Sequence, residues 1–209
     1  MRDYEEWHRA YDDPQSSLSW RLARVRQFLG AALDERAGPV RVLSVCSGDG
    51  RDVIGALAAR ADAARVSATL LELHPAIAQA ARDAARSAGL TNVEVRTADA
   101  GGTDAYTGAV PADVVLLVGI FGNISNADIE RTIQATPGMC TTGAMVVWSR
   151  GHDIERNDVV RAWFADAGFE ELDYAEHQVG DDRTGLGAMR FVGEAEPLTA
   201  GARLFTFQR

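Results

Sequence analysis

A buried strand in this sequence gives way abruptly to glycines and charged residues. The stretch VLSVCSGDGRD, residues 42–52, predicts a strand that ends at Ser47, Gly48, Asp49 and Gly50 before a helix begins. Because glycine has no Cβ, the backbone at Gly48 and Gly50 can turn sharply and lie close to a ligand. The N–H groups at the start of the following helix point into the same space and favour a negative or polar group. The four residues are therefore candidate ligand contacts; the alternative is an ordinary strand-to-helix turn.

Two acidic residues stand at the ends of the next two predicted strands. Glu72 closes ATLLEL, 22 residues after Gly50, where a carboxylate can accept hydrogen bonds from both hydroxyls of a ribose. Asp99 closes VEVRTAD, where it can accept a hydrogen bond from an adenine amino group. Either carboxylate alone is more simply a solvated charge. Together with the glycine turn, at the ends of three consecutive strands, they favour an adenosine-containing ligand.

The elements that must position these residues alternate between strand and helix. Apolar residues at helical spacing and short β-rich runs predict the following elements. The helices span 16–33, 50–61, 75–90, 126–138 and 156–168, and the strands 39–46, 65–73, 92–99, 112–121, 143–150 and 169–177. Two further candidate strands, 187–193 and 202–208, follow without an intervening helix and predict an antiparallel edge.

This order of elements predicts a doubly wound α/β fold. Central strands that are apolar on both faces indicate a mostly parallel sheet covered on both sides, here of seven strands. We expect one domain, 1–209, divided into an N-terminal helical lid, 1–37, and a core, 38–209. In such sheets a ligand lies outside the carboxyl ends of the strands, where the strand order reverses.

Charge and composition exclude several kinds of function. The net charge is −9, from 21 basic and 30 acidic residues, which argues against nucleic acid as a partner. The chain contains no lysine, which excludes Schiff-base chemistry and a Walker-type phosphate loop. Cys46 and Cys140 are too few for a disulfide framework and lack a metal-site spacing, so we expect buried free thiols and no metal.

Hydropathy predicts a soluble protein. The stretch MRDYEEWHRA contains no apolar signal region, and the longest apolar run, 114–121, is too short to span a bilayer. We therefore expect a cytoplasmic location, no membrane partner, and a monomer or homodimer.

The glycine turn resembles the first motif of the class I S-adenosylmethionine-dependent methyltransferases. The resemblance extends over roughly 38–177, and Gly48 and Gly50 match the motif. The usual acidic residue, through which the family often contacts the amino-acid moiety of the cofactor, falls at Ser44. The usual first glycine falls at Cys46. The resemblance implies the fold of that family, S-adenosylmethionine as cofactor, and transfer of its methyl group.

The resemblance also assigns positions at the ends of the following strands. Glu72 matches the ribose-binding acid and Leu73 the position beside the adenine, while Asp99 and Ala100 match the adenine edge. The loop after the fourth strand, which begins at Gly119, lies beside the sulfonium in this family and adds a candidate cofactor contact.

The same loop and the residue after the fifth strand provide candidates for the acceptor side. Phe121 and Asn123 are expected to line the methyl path, with Asn123 as a catalytic candidate; packing of Phe121 and helix capping by Asn123 are the alternatives. The motif Asp/Asn-Pro-Pro-aromatic is absent, which argues modestly against planar amino acceptors. His152 is the candidate general base, which is needed only for an acceptor that carries a proton.

The N-terminal segment predicts a cover over the acceptor pocket. Trp7, His8 and Tyr11, with Asp13, would form an aromatic and acidic lid for a cationic or aromatic small molecule. The alternative is that Trp7 and Tyr11 only dock the first helix. The short chain and its negative charge favour a small-molecule acceptor.

Two other functions stay open at this point. A nicotinamide-dependent oxidoreductase also uses a glycine turn and an acid after the second strand, but its third glycine would fall at Val53. A non-catalytic S-adenosylmethionine-binding subunit would account for the departures at Ser44 and Cys46. We expect the methyltransferase.

Overall fold

The architecture is a twisted sheet with helices on both faces. A computed structural model describes residue 11 and residues 13–151, 156–180 and 182–208. Within these residues the helices are α1 (Ser17–Asp34), α2 (Arg51–Ala58), α3 (Pro75–Ser87), α4 (Asn126–Ala135) and α5 (Asn157–Asp166). The strands are β1 (Val40–Val45), β2 (Val66–Glu72), β3 (Val93–Thr97), β4 (Ala112–Leu117), β5 (Cys140–Gly151), β6 (Phe169–Val179) and β7 (Asp182–Phe191).

Local sequence signals define where the helices begin. The Ser16 side chain caps α1 by accepting a hydrogen bond from the Ser19 N–H at 3.1 Å. Pro75 occupies the first turn of α3, where its missing N–H removes no helical hydrogen bond. The Ser125 side chain caps α4 in the same way as Ser16 caps α1. No helix in the described part of the chain is long and apolar enough to cross a membrane.

The strand order creates a cleft between β1 and β4. The described strands form one seven-stranded sheet in the order β3-β2-β1-β4-β5-β7-β6. The first five strands in this order pair in parallel, whereas β7 runs antiparallel to both β5 and β6. The chain leaves β1 toward β2 and later returns on its other side as β4, so the loops after β1 and β4 diverge there. The predicted doubly wound, mostly parallel sheet with an antiparallel C-terminal edge is confirmed.

Each face of the sheet has its own apolar core. Val42 packs in the cluster under α1, α2 and α3, and its neighbour Leu43 packs on the opposite face with residues of α4 and α5. Successive side chains of a strand point to opposite faces, so Ser44 shares the face of Val42. The alternation places a polar side chain beneath α1 at the end of β1.

Buried aromatic rings hold the antiparallel edge of the sheet together. Trp148 on β5 is fully buried and stacks on Phe164 and Tyr174, with ring centroids 5.9 Å away in both cases. The backbone of β7 passes directly beneath this ring, because a Cβ at Gly187 would lie 2.4 Å from the Trp148 indole nitrogen. Gly187 is therefore required by a close approach, not by its backbone angles.

The prediction of a strand at 202–208 is wrong. Arg203 makes one isolated antiparallel bridge to Gly102, and the segment otherwise runs outside the sheet. Its apolar residues Leu204 and Phe205 are buried, which produced the strand-like pattern. Backbone hydrogen bonds tie the segment instead to loops, including one from the Gln208 N–H to the Asn123 carbonyl at 2.8 Å.

The Gly187→Ala variant should destabilise the fold by about 1–3 kcal/mol, because the added methyl group overpacks a rigid buried ring. Gly30→Ala is the matched control, since Gly30 lies within α1 and a Cβ added there would meet nothing within 4 Å. Gly30→Ala should stabilise the protein by about 0.5–1 kcal/mol through helix propensity. Urea unfolding of both variants measures the two changes, and an unaltered midpoint for Gly187→Ala would contradict the packing.

Candidate active site

A cavity of about 430 Å³ opens at the cleft between β1 and β4. Its volume lies within the range of small-molecule sites, roughly 300–1,000 Å³. Most of its lining comes from one face of α1, the turn after β1 with the start of α2, and the loop after β4; Tyr11, Gly151 and Thr184 complete it. The α1 residues that line it are Ser17, Leu18, Arg21, Leu22 and Val25. The cavity therefore lies where the fold predicts a ligand site.

The turn after β1 is built from residues in left-handed conformations. Cys46, Gly48 and Gly50 have φ angles of 53°, 58° and 70°. A Cβ at Gly50 would also meet the Leu70 and Ile54 side chains at 2.6 and 2.8 Å. Cys46 thus replaces the expected glycine of the motif but keeps the conformation that glycine favours. Burial raises the pKa of its thiol well above the usual range, so the thiol stays protonated.

Glu72 connects this turn to the end of β2. One oxygen of its carboxylate accepts a hydrogen bond from the Gly48 N–H at 3.0 Å, and the other accepts from the His74 N–H at 2.7 Å. A carboxylate has about four acceptor positions, so two remain for a ligand. Leu73 beside it is 62% exposed, an unusual exposure for a large apolar side chain that suits contact with a planar ring.

Asp99 is engaged by the C-terminal segment. Its carboxylate accepts hydrogen bonds from the Gly101 N–H at 2.9 Å and from the Arg203 guanidinium at 2.7 Å. The Arg203 contact holds the pKa of Asp99 below its ordinary value, and the group is ionised. Ala100 is buried, and its carbonyl accepts a hydrogen bond from the Tyr106 hydroxyl at 2.7 Å. Arg203 was not expected at this position.

The loop after β4 is held from two sides. Gly119, with φ of 77°, donates its N–H to the Ser149 hydroxyl at 2.9 Å. The Asn123 side-chain amide donates to the Gly119 carbonyl at 2.9 Å, and both residues line the cavity. The structure therefore brings Gly119 and Asn123 together with Ser47, Gly48 and Asp49 around one space.

Of the predicted cofactor residues, Gly50, Glu72, Leu73, Asp99 and Ala100 do not line this cavity. Phe121 is 1% exposed and packs against Trp148 and Phe164; it lines a smaller neighbouring cavity of about 260 Å³. Trp7, His8 and His152 lie outside the described residues. Tyr11 does line the cavity, where the Arg51 guanidinium stacks over its ring at 4.0 Å.

Sequence reasoning missed three charged residues of the cavity wall, Arg21, Arg51 and Asp52. Burial raises the pKa of the Asp52 carboxyl, while its hydrogen bond from Val53 N–H and the Arg21 charge act in the opposite direction. A signal for Arg21 was available: it shares a helix face with Leu18 and Val25, so a charge interrupts an apolar stripe. Asp52 resembles an ordinary acidic residue of a helix first turn.

The cavity offers polar atoms that the protein itself leaves unsatisfied. The hydroxyl oxygens of Ser17 and Ser47 are buried and find no hydrogen-bond partner in the part of the chain that the structure describes. Buried polar groups without a partner are uncommon and indicate a missing ligand or water. In the same described part, no group of three His, Cys, Asp or Glu residues could hold a metal ion. The residues present therefore fit a polar organic ligand.

Comparison with known proteins shows the fold. No protein-family model matches the chain, and no curated protein matches it. Magnesium protoporphyrin IX methyltransferase from Synechocystis PCC 6803, solved with bound S-adenosylmethionine, superposes with a TM-score of 0.67 at 13% identity, over 90% of each chain. The M1A22 tRNA methyltransferase of B. subtilis superposes at 0.60 and 15% identity, over 84% of this chain and 66% of that one.

A third similar structure is the [4+2]-cyclase SpnF, with a TM-score of 0.58 and 17% identity over 79% of this chain and 80% of the other. These identities are too low to transfer an activity, and the three proteins act differently. What they share with this chain is the arrangement of strands and helices. The chain therefore has the Rossmann-like fold of the class I S-adenosylmethionine-dependent methyltransferases.

Proposed function

We propose that this protein transfers a methyl group from S-adenosylmethionine to a small-molecule acceptor. The observation that carries the proposal is the hydrogen bond from the N–H of Gly48, a residue that lines the cavity, to the Glu72 carboxylate at the end of β2. It joins a glycine turn, which can approach a ligand closely, to an acid that can accept ribose hydroxyls. The fold of the site and the two unsatisfied hydroxyls in the cavity support the same ligand.

The residues that would hold the cofactor come from three loops. Glu72 would accept hydrogen bonds from the ribose, and exposed Leu73 would contact the adenine, with Asp99 and Ala100 at its edge. The turn from Ser47 to Gly50 would lie against the rest of the cofactor, and Gly119 would face the sulfonium. When bound, S-adenosylmethionine supplies an electrophilic methyl group for in-line displacement.

The role of this chain in the reaction is to align the acceptor and keep water out. Alignment of two reactants can supply much of the acceleration in such a transfer. Asn123 lines the cavity and, through its bond to the Gly119 carbonyl, keeps the loop after β4 in place. His152 is proposed as the base for an acceptor that carries a proton.

Charge and cavity size favour a small molecule over tRNA. A net charge of −9 opposes binding to a phosphate backbone, which requires clustered positive charge. Similar structures include both a porphyrin and a tRNA methyltransferase, so the acceptor class rests on these electrostatic arguments.

No observation favours the alternative functions. Val53, at the position of the third dinucleotide glycine, is fully buried in the core under α1 and α2. In dinucleotide folds a glycine at this position lets the helix pack closely against the strand. Here a valine side chain occupies that space.

Methyl transfer can be tested without knowing the acceptor. The purified chain is incubated with S-adenosylmethionine carrying a tritiated methyl group, together with either the small-molecule fraction of a cell extract or unfractionated tRNA. We expect label in small molecules and none in tRNA. Label in tRNA alone would contradict the acceptor class. Cofactor binding without any transfer would instead favour the non-catalytic subunit.

The Glu72→Gln variant should weaken S-adenosylhomocysteine binding about ten- to a hundredfold, the scale of hydrogen bonds to a charged group. Calorimetric titration measures the loss. Glu94→Gln is the matched control, because Glu94 lies exposed on β3 with Arg96 as its partner, away from the cavity. Equal affinities for the two folded variants would remove the ribose role of Glu72.

A further inference from the structure

We propose that Asp52 and Arg21 hold the amino-acid end of S-adenosylmethionine, Asp52 by accepting hydrogen bonds from its ammonium group and Arg21 by donating to its carboxylate. The inference rests on the proposed cofactor and assigns its amino-acid end to two residues outside the motif positions named above. It follows from four features of the cavity wall: the carboxylate of Asp52, the open donors of Arg21, the lack of an ion pair between these two residues, and the serine at position 44.

Asp52 is a carboxylate on the cavity wall that lacks a cation of its own among the described residues. It lies in the first turn of α2, and one oxygen accepts a hydrogen bond from the Val53 N–H at 2.7 Å. Its own backbone N–H also interacts with the carboxylate, but no side chain among the described residues donates to it. Removing a carboxylate from water is unfavourable unless a cation or donors compensate. The carboxylate therefore presents an acceptor to a cationic group in the cavity.

Arg21 presents donors to the same cavity from α1. Its guanidinium, which carries five N–H donors, makes one hydrogen bond among the described residues, to the Tyr11 hydroxyl at 3.2 Å. It also approaches the loop after β4, since a Cβ at Gly119 would lie 3.7 Å from a guanidinium nitrogen. A planar fork with open donors is suited to a carboxylate.

The two charges face the same space without neutralising each other. Arg21 and Asp52 both line the cavity, yet they are not joined by an ion pair within 4.0 Å. The neighbouring Asp49 and Arg51 behave differently, because they pair directly at 2.6 Å. A positive and a negative group held apart across a cavity are complementary to a ligand that carries both charges, as an amino acid does.

Position 44 explains why a new acid is needed. Ser44 occupies the place at which the family often carries the acid for the amino-acid moiety, and it is buried under the same cavity. A serine hydroxyl can donate and accept, but it brings no negative charge for an ammonium group. Asp52 brings that charge from the start of α2, on the same side of the sheet.

A cofactor that lacks the amino acid provides the direct test. S-adenosylhomocysteine and 5′-methylthioadenosine share the adenosine and the sulfur, but only the first carries the ammonium and carboxylate groups. Both ligands are titrated calorimetrically into the intact chain, Asp52→Asn and Arg21→Gln. Each variant should bind S-adenosylhomocysteine about tenfold more weakly or worse, and 5′-methylthioadenosine within about twofold of the intact chain.

Matched controls carry the same substitutions outside the cavity. Arg24→Gln lies one turn further along α1, where Arg24 pairs with Asp173, and Asp83→Asn lies on α3, where Asp83 pairs with Arg86. Both controls should bind the two ligands as the intact chain does.

The outcomes separate this inference from the proposed function. Unchanged S-adenosylhomocysteine affinity in the two cavity variants would overturn the inference. The two charges would then suit a zwitterionic acceptor instead. An equal loss for both ligands would also overturn it, since the substitutions would then disturb the adenosine site. Failure of the intact chain to bind either ligand would instead overturn the proposed cofactor.

The melting temperature of the ligand-free protein distinguishes an Asp52 carboxylate that is kept for a ligand from one that stabilises the fold. Burial raises the folded-state pKa of Asp52 against the opposing field of Arg21, and Asp49 adds to the rise. A raised carboxyl pKa makes the folded state less stable as pH rises through that pKa. Asp52→Asn should therefore melt above the intact chain at pH 7. The gap should narrow as the pH falls and close by about pH 3, where the carboxyl is protonated in both states. A lower melting temperature for Asp52→Asn at pH 7 would contradict a carboxylate kept for a ligand.

Discussion

The hydrogen bond from the Gly48 N–H to the Glu72 carboxylate is the contact on which the rest of the site depends. The turn after β1 contains three left-handed residues and has no side-chain cap at the start of α2. Two hydrogen bonds from backbone N–H groups therefore fix the position of the turn relative to β2. One is the bond from Gly48 to Glu72, and the other runs from the Ser47 N–H to the Leu71 carbonyl at 2.9 Å. Both contacts exist because β1 and β2 are parallel neighbours whose carboxyl ends meet at one edge. The same geometry leaves part of the carboxylate and the exposed Leu73 available to a ligand.

The cavity follows from how the sheet is wound. Because β2 and β4 flank β1, the turn after β1 and the loop after β4 separate and leave a cleft between them. Helix α1 closes one side of this cleft and contributes Arg21, while α2 begins at its floor and contributes Asp52. The C-terminal segment contacts the neighbouring loops, through Arg203 on Asp99 and the Gln208 N–H on the Asn123 carbonyl. Elements from both ends of the chain thus hold the loops of the proposed site.

Much of the fold was predictable from local patterns, and half of the site was not. Helical spacing and apolar strands identify the elements from α1 to β7, and the glycine turn with Glu72 identifies the edge at which a ligand would lie. The strand-like pattern of Leu204 and Phe205 was misleading, because burial against loops and burial in a sheet select the same residues. Arg203 reaches Asp99 across 104 positions, a contact that no local signal encodes. Arg21 and Asp52 become partners of one cavity only through the packing of α1 against the sheet edge. The domain division, the lid residues Trp7 and His8, and the base His152 stay predictions.

Titration of the purified chain with S-adenosylmethionine, S-adenosylhomocysteine and NAD, side by side in a calorimeter, distinguishes an adenosyl cofactor from a dinucleotide. We expect micromolar binding of the first two ligands and no binding of NAD, because the Gly48–Glu72 contact presents an acceptor for one ribose beside a cavity lined by Arg21 and Asp52. Binding of NAD alone would contradict the methyltransferase proposal and favour an oxidoreductase. Binding of none of the three would contradict the assignment of this cavity to an adenosyl cofactor.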